Sequence, residues 1–329
     1  MDSLDLNVLK QARAWVEEGR QAWLVTVAET WGSAPRPAGA LLCLRDDGLV
    51  VGSVSGGCVE DDLIDRVRQG ERVETPSTIV YGITKDEAAR FGLPCGGTLR
   101  LVQEPLREVD WIDALLARTA RHELVTRCLD LKTGAVTLEP GQRGQAFSLE
   151  ESSMRQLFGP RWRMLVIGAG QLSRALAEMA LALDFEVICC DPREEYHLTW
   201  DVPGTTFTRE MPDDAVLRLE LDAHSAVIAV THDPKLDDLV LLEALKSPCF
   251  YVGALGSRAN TAKRRERLKL FELSDQQIDR LHGPIGLDIG SRTPAEIAVS
   301  ILAEVIAVKN GVPLRQKKPD DVGAASCSV

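Results

Sequence analysis

The chain has 329 residues, of which 45% are hydrophobic and 26% are charged, a composition typical of a soluble globular protein. Its length predicts two domains, because single hydrophobic cores rarely grow beyond about 250–300 residues. The formal net charge of −11 repels phosphate backbones and argues against nucleic-acid binding, and no apolar run reaches the roughly 18–20 residues that span a bilayer.

The N-terminal segment carries acidic residues where a signal peptide needs basic ones, and no small-residue cleavage pattern follows it. We therefore expect a cytoplasmic protein. The 8 cysteines include no CxxC pair, so we expect reduced thiols and no zinc-finger site.

The N-terminal half alternates short helical and strand patterns, which predicts an α+β domain over residues 1–138. A helix with apolar residues at helical spacing ends at Gly19. The following elements are predicted in order: a strand at 22–27, a hairpin of 40–44 with 49–54, a helix at 59–69, strands at 78–81 and 98–102, a helix at 111–121, and strands at 124–129 and 135–138.

Residues 139–161 are rich in Gly, Pro, Ser, Gln and charges, and we interpret them as a linker. From there, short continuous apolar runs alternate with helical segments, which predicts a Rossmann-type doubly wound parallel sheet over residues 162–314. The predicted strands are 163–167, 186–190, 225–230 and 249–252, and the predicted helices are 171–183, 235–245, 258–268 and 294–309. The polar tail at 315–329 is predicted to be disordered.

The segment VIGAGQLSRALAEMA has the order strand, glycine turn, helix. Gly168 would allow the tight turn, and Gly170 would let the backbone approach a phosphate at the start of the helix that Gln171 opens. Ser173 stands where the dinucleotide-binding fingerprint has its third Gly or Ala. The alternative is a Rossmann domain whose glycine loop only packs.

Asp191 closes the next predicted strand, about twenty residues further on, where a ribose-binding acid is expected. Arg193 follows it and could pair with a phosphate, or it could be a solvated surface residue. The five histidines include none in a recognisable catalytic motif. The best placed is His232, at a strand end, which we interpret as a pocket-lining or turn residue rather than a base.

A second glycine turn is predicted after the strand at 249–252. Gly253, Gly256, Ser257 and Arg258 lie where backbone amides and a guanidinium could bind an anion. The alternative is an ordinary strand-to-helix turn followed by an exposed basic helix. The glycine-rich segment 283–291 is predicted to form another wall of the same crevice.

Two cysteines in the N-terminal half stand beside glycines. Glycines leave a thiol accessible and let a backbone approach a ligand, and thiolates suit thiophilic metals. The alternative is that both are small buried residues in tight turns. Arg36, in a loop with two prolines, could clamp a phosphate or carboxylate, or the loop could be a structural crossover. The candidate residues around the thiols are Gly56, Gly57, Cys58, Cys95, Gly96 and Gly97.

Together these segments resemble the XdhC/CoxI family, the xanthine dehydrogenase accessory proteins. The resemblance covers nearly the whole chain and rests on ordered motifs, among them TWGSAPRPAGALL, VGSVSGGCVEDDLI, GLPCGGTL, DPREEY, YVGALGSRANTAKRRERL and GPIGLDIGSRTPAEIAVSILAE. It implies an accessory protein that binds the molybdenum–molybdopterin cofactor, assists its sulfuration by a cysteine desulfurase and delivers it to an apo molybdenum hydroxylase such as xanthine dehydrogenase. Whether the chain is itself an enzyme stays open, and an accessory role is favoured.

The resemblance also implies a homodimer, and it carries a role near the molybdenum or its sulfido ligand over to Cys58 and Cys95. The cofactor's phosphate or nucleotide end would lie near Gly168 and Gly170. Two other readings stay open from the residues. An NAD-dependent oxidoreductase would need only the Rossmann half and leaves both thiol segments unexplained. A non-catalytic nucleotide-binding scaffold would act through its partners.

Overall fold

Five ranges of the computed structural model are described: residues 3–31, 36–82, 98–142, 144–271 and 273–313. The candidates Cys95, Gly96 and Gly97 and the predicted tail at 315–329 lie outside these ranges. The chain divides into two units, Met1–Pro160 and Arg161–Val329.

The first unit is built on two antiparallel sheets with helices. Its helices are α1 (Ser3–Glu17), α2 (Cys58–Arg68) and α3 (Asp110–Ala120). Its strands are β1 (Ala22–Trp31), β2 (Leu41–Arg45), β3 (Val50–Gly52), β4 (Ser77–Tyr81), β5 (Thr98–Pro105), β6 (Val125–Asp130), β7 (Val136–Pro140), β8 (Ser148–Leu149) and β9 (Ser153–Phe158). The strand orders are β3-β2-β1-β5-β4 and β7-β6-β9-β8.

Strand β1 is buried on both faces, which explains its continuous apolar sequence. Trp23 and Val25 belong to the same buried cluster as Leu63 of α2. Leu24, from the opposite face, belongs to a cluster with Leu9 of α1 and residues of α3. Helices therefore cover both sides of this antiparallel sheet.

The segment predicted as a linker contains two strands. β9 pairs with β6 in antiparallel register, with Val125 opposite Phe158 and Leu129 opposite Met154. Along β9 the buried positions alternate with partly exposed ones, and the polar Gln156 is one of the buried residues. The polar composition hid this two-residue period, so the linker prediction is corrected for residues 148–158.

The second unit is a six-stranded parallel sheet in the order β12-β11-β10-β13-β14-β15, which confirms the predicted Rossmann-type fold. Its strands are β10 (Arg163–Ile167), β11 (Glu186–Cys190), β12 (Thr206–Thr208), β13 (Ser225–Ala229), β14 (Tyr251–Ala254) and β15 (Leu281–His282). Its helices are α4 (Gln171–Ala182), α5 (Glu194–Thr199), α6 (Pro212–Leu219), α7 (Pro234–Ala244), α8 (Arg258–Lys269), α9 (Asp275–Asp279) and α10 (Pro294–Lys309).

The strand order reverses at β10 and β13, which are neighbours in space although β11 and β12 separate them in the chain. Open α/β sheets bind ligands at the carboxyl ends of the strands beside such a reversal. Apolar clusters lie on both faces of the sheet. Among the described residues, no helix combines the length and the apolar character needed to cross a membrane.

Candidate functional site

The glycine turn between β10 and α4 has the geometry of an anion-binding loop. Gly168 has φ +103°, and a Cβ there would lie 3.0 Å from Thr231 Cα and 3.1 Å from Thr231 N. Only glycine combines this backbone conformation with the close approach of the chain after β13. At Gly170, the residue before α4, a Cβ would meet nothing within 4 Å. The space over Gly170 is therefore open to a ligand at the helix N-terminus.

A cavity of about 330 Å³ lies at this N-terminus. Its lining combines two arginines and one histidine with backbone of the glycine turn, and it contains no carboxylate, which makes it suited to an anion in a chain of net charge −11. The residues that matter for its chemistry are Gly170, Gln171, Ser173, Arg193, His232 and Arg292.

Asp191 differs from the ribose-binding acid that the sequence predicts. Its side chain is fully buried and does not line the cavity. Oδ2 accepts a hydrogen bond from the amide of Ala169 at 3.0 Å. Arg193 donates from Nε to Oδ1 at 2.9 Å and from Nη2 to Oδ2 at 2.7 Å. Both carboxylate oxygens are thus engaged within the protein, and they hold the turn and the arginine in place.

Arg193 is the residue that faces the cavity from this strand end. Its guanidinium carbon lies 4.0 Å from the centroid of the Tyr196 ring, a cation–π contact. The hydrogen bond to Asp191 raises the pKa of Arg193 above its ordinary value. The guanidinium is therefore fixed in position before any ligand arrives.

Ser173 is an orphaned polar group at the cavity. The residue is 1% exposed, and its hydroxyl makes no hydrogen bond with the described residues. A buried hydroxyl without a partner is destabilising, and such groups are uncommon in folded proteins. The sequence showed Ser173 only as a departure from the glycine fingerprint and gave no sign that its hydroxyl would be unpaired.

A second cavity of about 220 Å³ adjoins the first, since His232 and Leu255 line both. His232 has φ +63°, a conformation that non-glycine residues seldom adopt. Arg264 lines this second cavity and is 6% exposed. It donates to Asp237 at 3.1 Å and to Asp238 at 3.0 Å, so its charge is compensated inside the protein.

The predicted second glycine turn is shorter than expected. Gly253 lies inside β14, where a Cβ would be 2.6 Å from Ile285 Cδ1, so this glycine serves packing and lines neither cavity. Gly256 lines the second cavity. The hydroxyl of Ser257 caps α8 by accepting from the amide of Asn260 at 3.2 Å, and Arg258 lines neither cavity.

The glycines before Cys58 bind a carboxylate of the chain itself. The amides of Gly56 and Gly57 each donate to Glu60 at 2.9 Å. A Cβ at either glycine would meet nothing within 4 Å, and their role beside a cofactor stays a prediction. Glu60 also accepts from the amides of Val54 and Ser55 and from two serine hydroxyls. Burial alone would raise the pKa of Glu60, but these hydrogen bonds outweigh it and lower the pKa to about 2.

Cys58 is exposed at the first position of α2, and it is the one exposed thiol among the six described cysteines. Burial raises the pKa of the Cys43 and Cys190 thiols to about 12, which makes them inert. No group of three metal-ligating side chains is found in the described ranges. A metal role for Cys58 and Cys95 stays a prediction.

Two cavities lie in the first unit. Arg36 lines one of about 300 Å³ together with Gln145 and Gln156, and its buried Nε has no hydrogen-bond partner among the described residues. The other, of about 480 Å³, is lined by four carboxylates and one arginine. Although it is larger than the Rossmann cavity, its acidic lining is unsuited to an anionic ligand.

The fold and the site thus define a two-unit α/β protein whose Rossmann domain has a cavity suited to an anion. A family model described as the XdhC Rossmann domain matches residues 164–305, and one described as the XdhC and CoxI family matches residues 15–82. The chain belongs to the XdhC and CoxI family, which confirms the resemblance seen in the sequence.

Curated relatives extend over nearly the whole chain. The molybdenum cofactor insertion chaperone PaoD of Escherichia coli (strain K12) is 28% identical over 312 residues, covering 92% of this chain and 88% of that protein. A probable xanthine dehydrogenase component of Bacillus subtilis (strain 168) is 27% identical over 330 residues, covering 91% and 96%. A further relative, an uncharacterised protein of E. coli (strain K12), is longer, and the chain spans 47% of its length at 26% identity.

A solved structure has the same fold. The crystal structure of a xanthine dehydrogenase (BH1974) from Bacillus halodurans superimposes with a TM-score of 0.73 at 23% identity. The match covers 94% of this chain and 98% of that one. At this identity the likeness shows the fold alone.

Proposed function

We propose that the protein is a maturation chaperone that binds the molybdenum–molybdopterin cofactor as its cargo and delivers it to an apo molybdenum hydroxylase. The observation that carries the proposal is the carboxylate-free cavity with two arginines at the N-terminus of α4. Family membership and the similarity to PaoD, a molybdenum cofactor insertion chaperone, support the choice of cargo.

The charge distribution suits the retention of an anionic cargo. The chain as a whole is acidic, with a net charge of −11, whereas Arg193 and Arg292 face the cavity without a lining carboxylate. The positive end of the α4 dipole adds roughly half a unit charge at the same place. An anion is therefore attracted to this cavity rather than to the surrounding surface.

Cys58 supports a role in handling the metal end of the cargo. Its thiol is exposed, and thiolates are soft ligands that bind thiophilic metals. We propose that Cys58 and Cys95 lie near the molybdenum while a cysteine desulfurase supplies sulfur to the cofactor. The partners proposed are this desulfurase, an apo molybdenum hydroxylase related to xanthine dehydrogenase, and a second copy of the chain, all in the cytoplasm.

The test is the cofactor content of the full chain isolated from cells that make molybdenum cofactor. We expect bound molybdenum by metal analysis and bound pterin by fluorescence after oxidation. Cys58→Ala and Cys95→Ala should lower the molybdenum content or the activation of the client, whereas Cys128→Ala, a matched cysteine removal at a half-buried site, should change neither. Wild-type protein without molybdenum and pterin would contradict the proposed function.

An NAD-dependent oxidoreductase is disfavoured by the geometry of Asp191. The carboxylate that would bind the ribose is buried and paired with Arg193. The cavity lining offers His232 as its one imidazole and no carboxylate to act as a general base.

A further inference from the structure

We propose that the cavity at the N-terminus of α4 selects a phosphomonoester and rejects the ribose diol of NAD. This inference rests on the proposed function in one respect, since the phosphomonoester would be the anionic end of the pterin cargo. Its physical basis is the set of side chains that line the cavity, together with the burial of Asp191, which does not line it.

Asp191 is not free to accept a hydrogen bond from a ribose. Nucleotide-binding Rossmann domains recognise a ribose through a carboxylate at the end of the second strand, which accepts hydrogen bonds from the hydroxyls. Here Asp191 occupies that position but is fully buried, with both oxygens engaged by Ala169 and Arg193. A ribose diol arriving at the end of β11 would find no free acceptor on Asp191.

Arg193, and not Asp191, faces the cavity at the end of β11. Arg193 covers the carboxylate and faces the cavity, and its stacking on Tyr196 restricts its movement. A guanidinium only donates, so it binds an anionic oxygen more strongly than the oxygen of a neutral hydroxyl. The group at the end of β11 thus favours a phosphate.

Ser173 is the second cavity-lining residue that favours a phosphate. Its hydroxyl is buried and has no partner among the described residues, and the residue lines the cavity three positions after Gly170. The hydrogen of a serine hydroxyl rotates to suit its partner, so this group can donate to an acceptor bound in the cavity. A phosphate oxygen is an acceptor that would satisfy the orphaned group.

Arg292 brings a second guanidinium group to the cavity. Arg292 lines the cavity and forms no ion pair with the described residues. Its backbone is fixed by Glu296, whose carboxylate accepts from the amides of Arg292 at 2.7 Å and Thr293 at 3.0 Å. With Arg193 also present, the cavity offers two guanidinium groups, which matches the double negative charge of a phosphomonoester better than the single charge of each phosphate in a diester.

The experiment is a fluorescence titration of the full chain with 6-hydroxymethylpterin phosphate, with unphosphorylated 6-hydroxymethylpterin, and, by competition, with NAD⁺ and NADP⁺. We expect the phosphate form to bind at least about tenfold more tightly than the alcohol, since hydrogen bonds to a charged group are among the strong ones. NAD⁺ and NADP⁺ should both bind more weakly than the pterin phosphate.

Two variants test which side chains of the cavity bind the phosphate. Ser173→Ala and Arg292→Gln should each weaken binding of the phosphate form by about tenfold and leave binding of the alcohol unchanged. Arg209→Gln makes the same charge change at an exposed position outside the cavity lining and serves as the control. Equal affinity for phosphate and alcohol, tighter binding of either dinucleotide, or an unaffected Ser173→Ala variant would overturn the inference.

The result is separable from that of the proposed function. A chain that carries molybdenum and pterin while Ser173→Ala leaves the binding of pterin phosphate unchanged retains the proposed function and refutes the phosphomonoester site. A chain that binds pterin phosphate through Ser173 but never carries molybdenum and pterin from cells retains the site and refutes the function.

Discussion

Arg193 donates two hydrogen bonds to Asp191, at 2.9 Å and 2.7 Å, and thereby converts the expected ribose acceptor into a support for a cationic group. The carboxylate is fully buried and also accepts from the amide of Ala169 in the glycine turn. One side chain therefore orders both the turn and the arginine beside it.

Removing the negative charge of Asp191 should destabilise the second unit. We expect Asp191→Asn to lower the free energy of unfolding by about 1–3 kcal/mol, because a buried charged acceptor is lost while its donors remain. Asp201→Asn, which removes the carboxylate of an exposed pair with Arg174, should cost less than about 1 kcal/mol. Chemical denaturation followed by circular dichroism gives both values, and equal losses would refute the supporting role of Asp191.

Ser173→Ala should increase stability while it weakens ligand binding. In the ligand-free protein the substitution removes a buried hydroxyl without a partner among the described residues and places a better helix former in α4. We expect the free energy of unfolding to rise by up to about 1 kcal/mol, within the range of single stabilising substitutions that have a functional cost. A fall in the melting temperature would show that the hydroxyl has a structural partner.

Glu60→Gln should destabilise the loop before Cys58 in a pH-dependent way. The pKa of Glu60 is lowered to about 2 from an ordinary value of 4.5, so its stabilising contribution is fully present above about pH 4.5 and is lost as the pH falls through about 2. We expect a loss of about 1–2 kcal/mol at pH 7, because a buried charged acceptor is lost while its donors remain. The difference from wild type should shrink below pH 4, whereas Asp61→Asn, in the same turn but exposed, should show little difference at any pH.

Cys58 should be the fast-reacting thiol of the described residues. It is exposed, whereas Cys43, Cys189, Cys190 and Cys249 are buried. With a thiol reagent under native conditions, Cys58→Ser should remove one equivalent of the fast phase, and Cys190→Ser should remove none. An unchanged fast phase in Cys58→Ser would show that the thiol is shielded.

Glu304 should hold the glycine-rich segment 283–291 in place. It accepts from the Tyr251 hydroxyl and the Gly286 amide, each at 2.6 Å, and lies 3.1 Å from His282 Nδ1. We expect Glu304→Ala to lower the free energy of unfolding by about 3–5 kcal/mol, because several buried polar groups lose their partner. Hydrogen exchange should show faster exchange at Gly286 in the variant, and unchanged protection there would refute this role.

The parts of the site that sequence analysis predicted are those set by local geometry. Gly168 and Gly170 follow from the order strand, glycine turn, helix. The parallel sheet follows from short apolar runs that alternate with helices. The glycine turn is contained within a few consecutive residues, and each strand and helix of the sheet is predicted from one continuous segment of the chain.

The rest depends on tertiary contacts. Which groups engage Asp191 is decided by how the turn at Ala169 meets the end of β11, and the sequence shows only that an arginine follows two residues later. Ser173 is orphaned because no acceptor of another described element reaches it. The strand β9 was missed because Gln156 is buried and donates to the carbonyl of Gly39, a contact 117 positions away in the chain.

The carboxylate of Glu60 binds the backbone amides of the loop before Cys58, as the carboxylate of a bound ligand would. Ordering a glycine-rich loop normally costs conformational entropy at the moment a ligand binds. Here the amides of Gly56 and Gly57 are already fixed by Glu60, so that entropy is lost during folding. A group arriving at the thiol meets a preorganised loop, and its affinity is not reduced by the need to order it.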